Sequence, residues 1–291
     1  MSPRTRLAIT AALFSTGGAA IKWTAFNGWQ LAAFRALIAG TVIFLLLPEA
    51  RRGWSWRTLL VSCAYAATTL LYVQANKHTT AANTVFLQAT SPLFVLVLAP
   101  LLLGEPVSRR DVAQIIVMGL GMTLFFTGAQ RQYATAPNPG LGNMLAGICA
   151  MTWALTVVGY RWVVKHGGHV ATAAVGGNLL ACVIALSQAW PLVPGAPKDW
   201  LVVTYLGTTQ LGLAYVFFAR ALPQVTALNA SLLLLVEPVL NPIWAWLLHG
   251  EAPGATALAG GAVILSATLV RSIVDARNPR PVVEPVEAGE A

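Results

Sequence analysis

Residues 229–251, NASLLLLVEPVLNPIWAWLLHGE, hold a single ionisable side chain in their interior, Glu237. Wound as a helix at 1.5 Å per residue, such a run matches the roughly 30 Å of a bilayer's hydrocarbon core. The run also recurs. Moved back by 146 positions it meets residues 83–105, NTVFLQATSPLFVLVLAPLLLGE, with no gap: Asn83 falls on Asn229, Pro92 on Pro238, Gly104 on Gly250 and Glu105 on Glu251. Shared apolarity alone does not place four identities along the full length of two helices. The chain reads as two copies of one membrane unit.

The rest of the chain agrees. Charged residues are only 10% of it, against about 25% in soluble domains, so it cannot clothe itself for water. Apolar runs of membrane length are expected at 6–24, 28–47, 57–76, 80–103, 110–129, 140–164, 168–190, 198–221, 223–248 and 253–275, with Pro, Gly or charge at the breaks. The ten tryptophans suit belts at the two membrane interfaces. The first run lacks a small-residue cleavage site followed by a soluble domain, and it is expected to stay as a helix. The expected fold class is therefore all-α and integral to the membrane. It has ten transmembrane helices in two units, 1–132 and 140–275, followed by a Pro- and Glu-rich disordered tail at 276–291.

Charge sets the orientation. Arg4, Arg6, Arg51, Arg52, Arg57, Arg109, Arg110, Arg161, Lys165, Arg220, Arg271, Arg277 and Arg280 fall on one side; Lys22, Lys77, Arg131 and Lys198 fall on the other. By the positive-inside rule both termini are cytoplasmic. Five spans per unit is an odd number, so the second unit enters from the opposite face, giving an inverted repeat of the kind secondary transporters use. A net charge of +8 in a soluble protein would raise nucleic acid as a partner; here topology accounts for it, and no nucleic acid is expected.

Polar side chains facing lipid are costly, so stripes of them at helical spacing mark a packed interior or a wet cavity. Tyr65, Thr68, Thr69, Tyr72 and Asn76 share one face, as do Thr84, Gln88 and Ser91. So do Trp153, Thr156 and Tyr160, and Thr204, Thr208, Gly212 and Tyr215. Helix packing through small and hydroxyl residues explains such stripes equally well for Thr and Ser. Gln88, Tyr72, Trp153 and Tyr215 need more room. The candidate substrate-binding residues are Tyr72, Asn76, Asn83, Thr84, Gln88, Ser91, Trp153, Thr156, Thr208, Tyr215 and Glu237.

Pro92 and Pro238 sit mid-span, each removing a helix hydrogen bond, and are candidate hinges that compete with simple static kinks. Glu237 is the one carboxylate deep in a span, able to hold a substrate ammonium or carry a proton, or else to be a hydrogen-bonded structural group. Arg35 lies about two turns into the second span; an ion pair or snorkelling to the interface is favoured there over a substrate carboxylate. The glycine pairs 17/18, 119/121, 176/177 and 260/261 read as close helix contacts. Cys63, Cys149 and Cys182 are scattered in apolar runs, with no disulfide or metal spacing. No GxSxG, HExxH, Walker or CxxC pattern occurs, and the four histidines lie on different loops. No enzyme, metal or cofactor is expected.

With these residues in view, the chain resembles the drug/metabolite transporter superfamily, specifically the ten-helix exporters built from two EamA-type repeats. The resemblance rests on LVEPVLNPIWAWLLHGE at Leu235–Glu251, ATSPLFVLVLAPLLLGE at Ala89–Glu105, Arg35 in AAFRALIAG and Trp153 in CAMTWAL, and it covers residues 6–275. Within the superfamily it is most similar to bacterial inner-membrane amino acid exporters of the YddG type. That resemblance implies a basket of ten helices, a central cavity lined by helices 1, 3, 4, 6, 8 and 9, and export of aromatic and other amino acids. Ser91 stands where the second repeat has Glu237, which departs from a symmetric role for an acid. The residues themselves point to a carrier of small zwitterionic metabolites working by alternating access, and a monomer is expected. Gln, Asn, Tyr, Thr and Trp suit such cargo better than phosphates, which call for clustered cations. An exporter of drugs, nucleobases or sugar derivatives on the same fold is the alternative; a lipid-modifying enzyme or a passive channel is less favoured.

Overall fold

Short polar residues sit where the apolar runs begin, and they end the search for the first helical hydrogen bonds. Asn27 accepts from Gln30 N at 2.7 Å, Thr80 from Asn83 N at 3.2 Å and Asn138 from Leu141 N at 3.2 Å. Ser55 and Thr58 cap each other's backbone reciprocally. In this computed structural model, which describes residues 1–104, 109–127, 133–221, 233–234 and 236–277, the chain is all-α. The helices are α1 (Pro3–Ser15), α2 (Gly17–Trp23), α3 (Gly28–Leu46), α4 (Trp56–His78), α5 (Ala81–Gln88), α6 (Ser91–Leu103) and α7 (Arg109–Thr127). They continue as α8 (Pro139–Lys165), α9 (Val170–Gln188), α10 (Pro197–Tyr205), α11 (Ala214–Ala221), α12 (Val236–His249) and α13 (Ala255–Arg277). Asn229, Glu105 and the tail from residue 278 lie outside the described residues.

Polarity is distributed for a lipid surround. Leu60, Leu101, Leu120, Val183, Leu201 and Leu247 stand exposed on the outside, while Arg35, Gln74, Asn178, Gln210 and Asn241 are buried within. A soluble fold arranges these residue types the other way round. Among the described residues six segments are long and apolar enough to cross a membrane: Gly28–Leu46, Trp56–His78, Ala81–Leu103, Pro139–Lys165, Val170–Gln188 and Pro197–Ala221. Two further apolar helices, Val112–Thr127 and Ala255–Arg271, are shorter.

Where the expected spans fall short, a local cause is visible. The first is cut at Thr16, whose Oγ1 turns back to Leu13 O at 2.7 Å and also meets Tyr205 Oη at 2.8 Å. The fourth is cut between Gln88 and Ser91, so Pro92 does not kink a continuous helix. It opens α6 in the first turn, where its missing N–H has no carbonyl to serve. The eighth carries a π-helical stretch at Leu206–Leu213, with wide i→i+5 turns. Each wide turn rotates later residues by roughly 100° relative to an α-helix. The expected stripe Thr204, Thr208, Gly212, Tyr215 is split in consequence: Thr204 is exposed and Thr208 half-buried, whereas Gly212 and Tyr215 are buried. Small residues do bring helices together. A methyl at Gly177 would stand 2.5 Å from the Tyr65 ring, and one at Gly260 would stand 2.7 Å from Gly121 O; Gly119, by contrast, has room.

Candidate functional site: a cavity between the broken helices

The interruptions converge on one cavity of about 310 Å³. Tyr65, Thr68, Thr69 and Tyr72 line it from α4, and Arg35 enters from α3. Val85, Gln88, Ala89, Ser91 and Pro92 come from the α5–α6 break. Trp153 of α8, Leu211 of the π stretch, Leu234, Glu237 and Pro238 complete most of the wall, with Phe14 and Thr268 contributed by α1 and α13. A helix break at a cavity has a physical reason: backbone groups released from the i→i−4 ladder need polar surroundings.

Arg35 is the unusual group. It is 3% exposed, so it does not snorkel to an interface, and no carboxylate lies within ion-pair distance of it among the described residues. The favoured expectation of an ion pair or snorkelling is overturned. Its Nη2 donates to Gln210 Oε1 at 3.1 Å, its Cζ lies 5.9 Å from the centre of the Tyr72 ring, and its Nε makes no hydrogen bond. Gln210 is held in turn by its Nε2, which donates to Phe14 O at 3.3 Å. The π stretch aims Gln210 at the guanidinium. Its only sequence signal was a lone amide mid-span, overlooked beside the threonine stripe.

Of the residues singled out from sequence, Tyr72, Gln88, Ser91, Trp153, Glu237, Pro92 and Pro238 come together on this wall. The others do not. Asn76 is buried outside the wall and donates to Tyr72 O at 2.9 Å. Asn83 is tied to Asn143 Oδ1 at 3.1 Å, and Asn143 donates to Phe125 O, so this amide braces α5, α8 and α7. Thr84 and Thr156 return their hydroxyls to Thr80 O and Thr152 O on their own helices. Thr208 does the same with Thr204 O on the exposed side. Tyr215 stands behind Tyr65, edge-on at 6.0 Å, and donates to Tyr160 Oη at 2.6 Å. Phe14, Val85, Leu211 and Leu234 had no signal, since an apolar side chain on a cavity wall looks like any other in such a chain, and Thr268 is a lone hydroxyl that returns to Ile264 O on its own helix. The implied lining by helices 1, 3, 4, 6, 8 and 9 gains two contributors, Arg35 of the second span and Thr268 of the last.

The EamA-like transporter family profile matches residues 6–127 and again 140–273. This chain belongs to the EamA-like transporter family. It is a multi-pass membrane transporter, and curated relatives of this EamA chain include exporters. One is the pseudopaline exporter CntI of Pseudomonas aeruginosa, 26% identical over 84% of this chain and 85% of the relative. Another is the aromatic amino acid exporter YddG of Ancylobacter novellus, 27% identical over 60% of this chain and 62% of the relative. A solved crystal structure superposes with a TM-score of 0.65 at 20% identity, covering 96% of this chain and 99% of its own. At that identity it speaks for the fold alone.

Proposed function

We propose that this EamA transporter exports amino acids, aromatic and other zwitterionic ones, across the bacterial inner membrane by alternating access. The observation that carries the proposal is the cavity's charge arrangement. Arg35 and Glu237 line the same space, and neither has an ion-pair partner among the described residues. A buried charge left alone is expensive. A zwitterion answers both at once, its carboxylate toward the guanidinium and its ammonium toward Glu237. Tyr65, Tyr72 and Trp153 offer flat apolar faces to an aromatic side chain. The proposed binding set is Tyr72, Gln88, Ser91, Trp153, Glu237 and Arg35, with Pro92 and Pro238 at the hinges. The relatives named as exporters of pseudopaline and of aromatic amino acids support a small-molecule cargo that includes amino acids.

Alternating access comes from ten spans in two inverted repeats, 1–132 and 140–275, with a disordered tail at 276–291. Two features support it. Gly104 and Gly250, equivalent under the 146-residue shift, both end their helices with positive φ, 71° and 67°. Glu251 meets Ala81 N, at the end of the fourth span opposite Gly104, so the equivalent turns lie at opposite ends. The excess of Lys and Arg places both termini in the cytoplasm. The carrier works as a monomer, in which each unit supplies half of one pathway.

The test is counterflow in proteoliposomes with radiolabelled phenylalanine. Unlabelled amino acids should compete, whereas the methyl ester and the N-acetyl derivative, each lacking one charge, should compete at least about tenfold less, the worth of one charge-assisted contact of 1.4 kcal/mol or more. Equal competition by all three would remove the zwitterion.

A further inference from the structure

At one end of the bundle Lys22 Nζ lies 2.9 Å from Glu251 Oε1, with both side chains 1% exposed. The ammonium also donates to Thr79 O and Thr135 O, each at 2.7 Å, which uses all three of its protons. The carboxylate accepts from Ala81 N at 3.0 Å and from Thr135 Oγ1 at 2.5 Å. One ion pair thus fastens α2, the α4–α5 junction, the segment around Thr135 and the α12–α13 turn. Tyr133 Oη donates to Ala252 O at 2.9 Å, and the His249 ring nitrogen lies 2.8 Å from Ala19 O across the same seam.

Between this seam and the cavity α2 is packed against its neighbours without slack. A methyl at Gly18 would lie 2.6 Å from Asn241 Oδ1, 2.7 Å from Ala81 Cβ and 3.0 Å from Asn76 Oδ1. One residue earlier, toward the cavity side, a methyl at Gly17 would lie 2.7 Å from Gln210 Nε2 and 3.5 Å from Tyr72 Oη. The layer around Gly18 is closed yet polar. Asn76 Oδ1 is buried there without a hydrogen-bond partner, and the buried Asn241 amide has at most the Tyr72 hydroxyl to meet. Unmet amides are costly in a sealed interior and cost nothing in a wet one.

We propose that the Lys22–Glu251 pair is a latch that shuts the cavity at this end, and that the Gly18–Asn76–Asn241 layer is the passage it keeps closed. Each state is self-consistent. Closed, the ion pair has every hydrogen bond it needs while the amides lack some of theirs. Open, water reaches both. The latch offsets the unmet amides, so a modest change in cargo or charge can tip the balance. This inference goes beyond the reading of cargo and does not depend on it.

The first test needs no substrate and no membrane orientation. In detergent-purified protein with Cys63, Cys149 and Cys182 changed to serine, Asn76→Cys reports the passage. Its labelling by a water-soluble maleimide should speed up by at least about fivefold when Glu251→Gln is added, as for a two-state balance shifted toward open. Lys22→Met removes the other partner and gives the same result where Glu251→Gln does not fold. Unchanged labelling in a folded, monodisperse variant would overturn the latch. Separately, Lys22→Cys with Glu251→Cys, bridged by a reducible bis-thiosulfonate, should stop transport until the bridge is reduced. Undiminished transport by the bridged protein would overturn it as well.

Discussion

Arg35 Nη2 donates to Gln210 Oε1 at 3.1 Å, so a guanidinium buried in the bundle rests on a neutral amide. The amide orients the cation without cancelling its charge. A carboxylate in the same place would form a two-point pair with Arg35 and leave nothing for a ligand. Gln210→Glu, which also gives up the donation to Phe14 O, is therefore expected to lose cargo, with amino acid flux reduced by roughly tenfold or more, since a charged contact is worth about 1.5–3 kcal/mol. Gln210→Glu transporting at the native rate would show that Arg35 does not face the cargo.

Tyr215 was expected on the cavity wall and stands one layer behind it, its hydroxyl 2.6 Å from Tyr160 Oη. Tyr215→Phe should lower stability slightly, by about 0.6 kcal/mol as for an average interhelical hydrogen bond in a membrane. Substrate affinity should not move. Thermal unfolding in detergent and a binding isotherm measure the two effects, and a large loss of affinity with intact stability would return Tyr215 to the wall.

How much of this was legible in the chain follows from what each signal reports. The membrane class was open to view because the apolar runs are long, and Gly104 and Gly250 were found by their repetition; both do end helices at positive φ. Tyr65, Thr68, Thr69 and Tyr72 formed a readable stripe because α4 runs unbroken past the cavity. The stripe on the eighth span failed because spacing assumes α geometry, and the π stretch at Leu206–Leu213 breaks that assumption. Lys22 was read as a loop charge that sets topology, and its buried pairing with Glu251 joins residues 229 positions apart. Nothing in local pattern reports a contact of that separation.

Packing between α8 and the α4–α5 junction gives a sharper test of the fold. A Cβ at Gly142 would lie 2.5 Å from Thr79 N and 2.8 Å from His78 C, backbone atoms that cannot swing aside. Gly254 has nothing within 4 Å of its Cβ position. Gly142→Ala should destabilise by about 1–3 kcal/mol, as overpacking does, while Gly254→Ala should leave the melting temperature unchanged. Equal melting of the two variants would mean that α8 does not approach the junction so closely.

Glu237 stands in the first turn of α12, on the cavity wall beside Pro238, and its counterpart in the first repeat is Ser91. The scaffold is duplicated but the charge is not. On the proposed reading, Arg35 from the first half and Glu237 from the second would take opposite ends of a zwitterion, whose side chain would share the cavity with Tyr65, Tyr72 and Trp153. Glu237→Gln preserves the shape and removes the charge. Counterflow of phenylalanine should fall by about tenfold, the equivalent of 1.4 kcal/mol, while flux of its N-acetyl derivative, which has no ammonium, should stay where it was. An equal loss for both would mean that Glu237 supports the helix break and does not touch the amine. The same pair of substrates applied to Arg35→Gln should give the complementary pattern, with the methyl ester unaffected, because the two charges read opposite ends of one molecule.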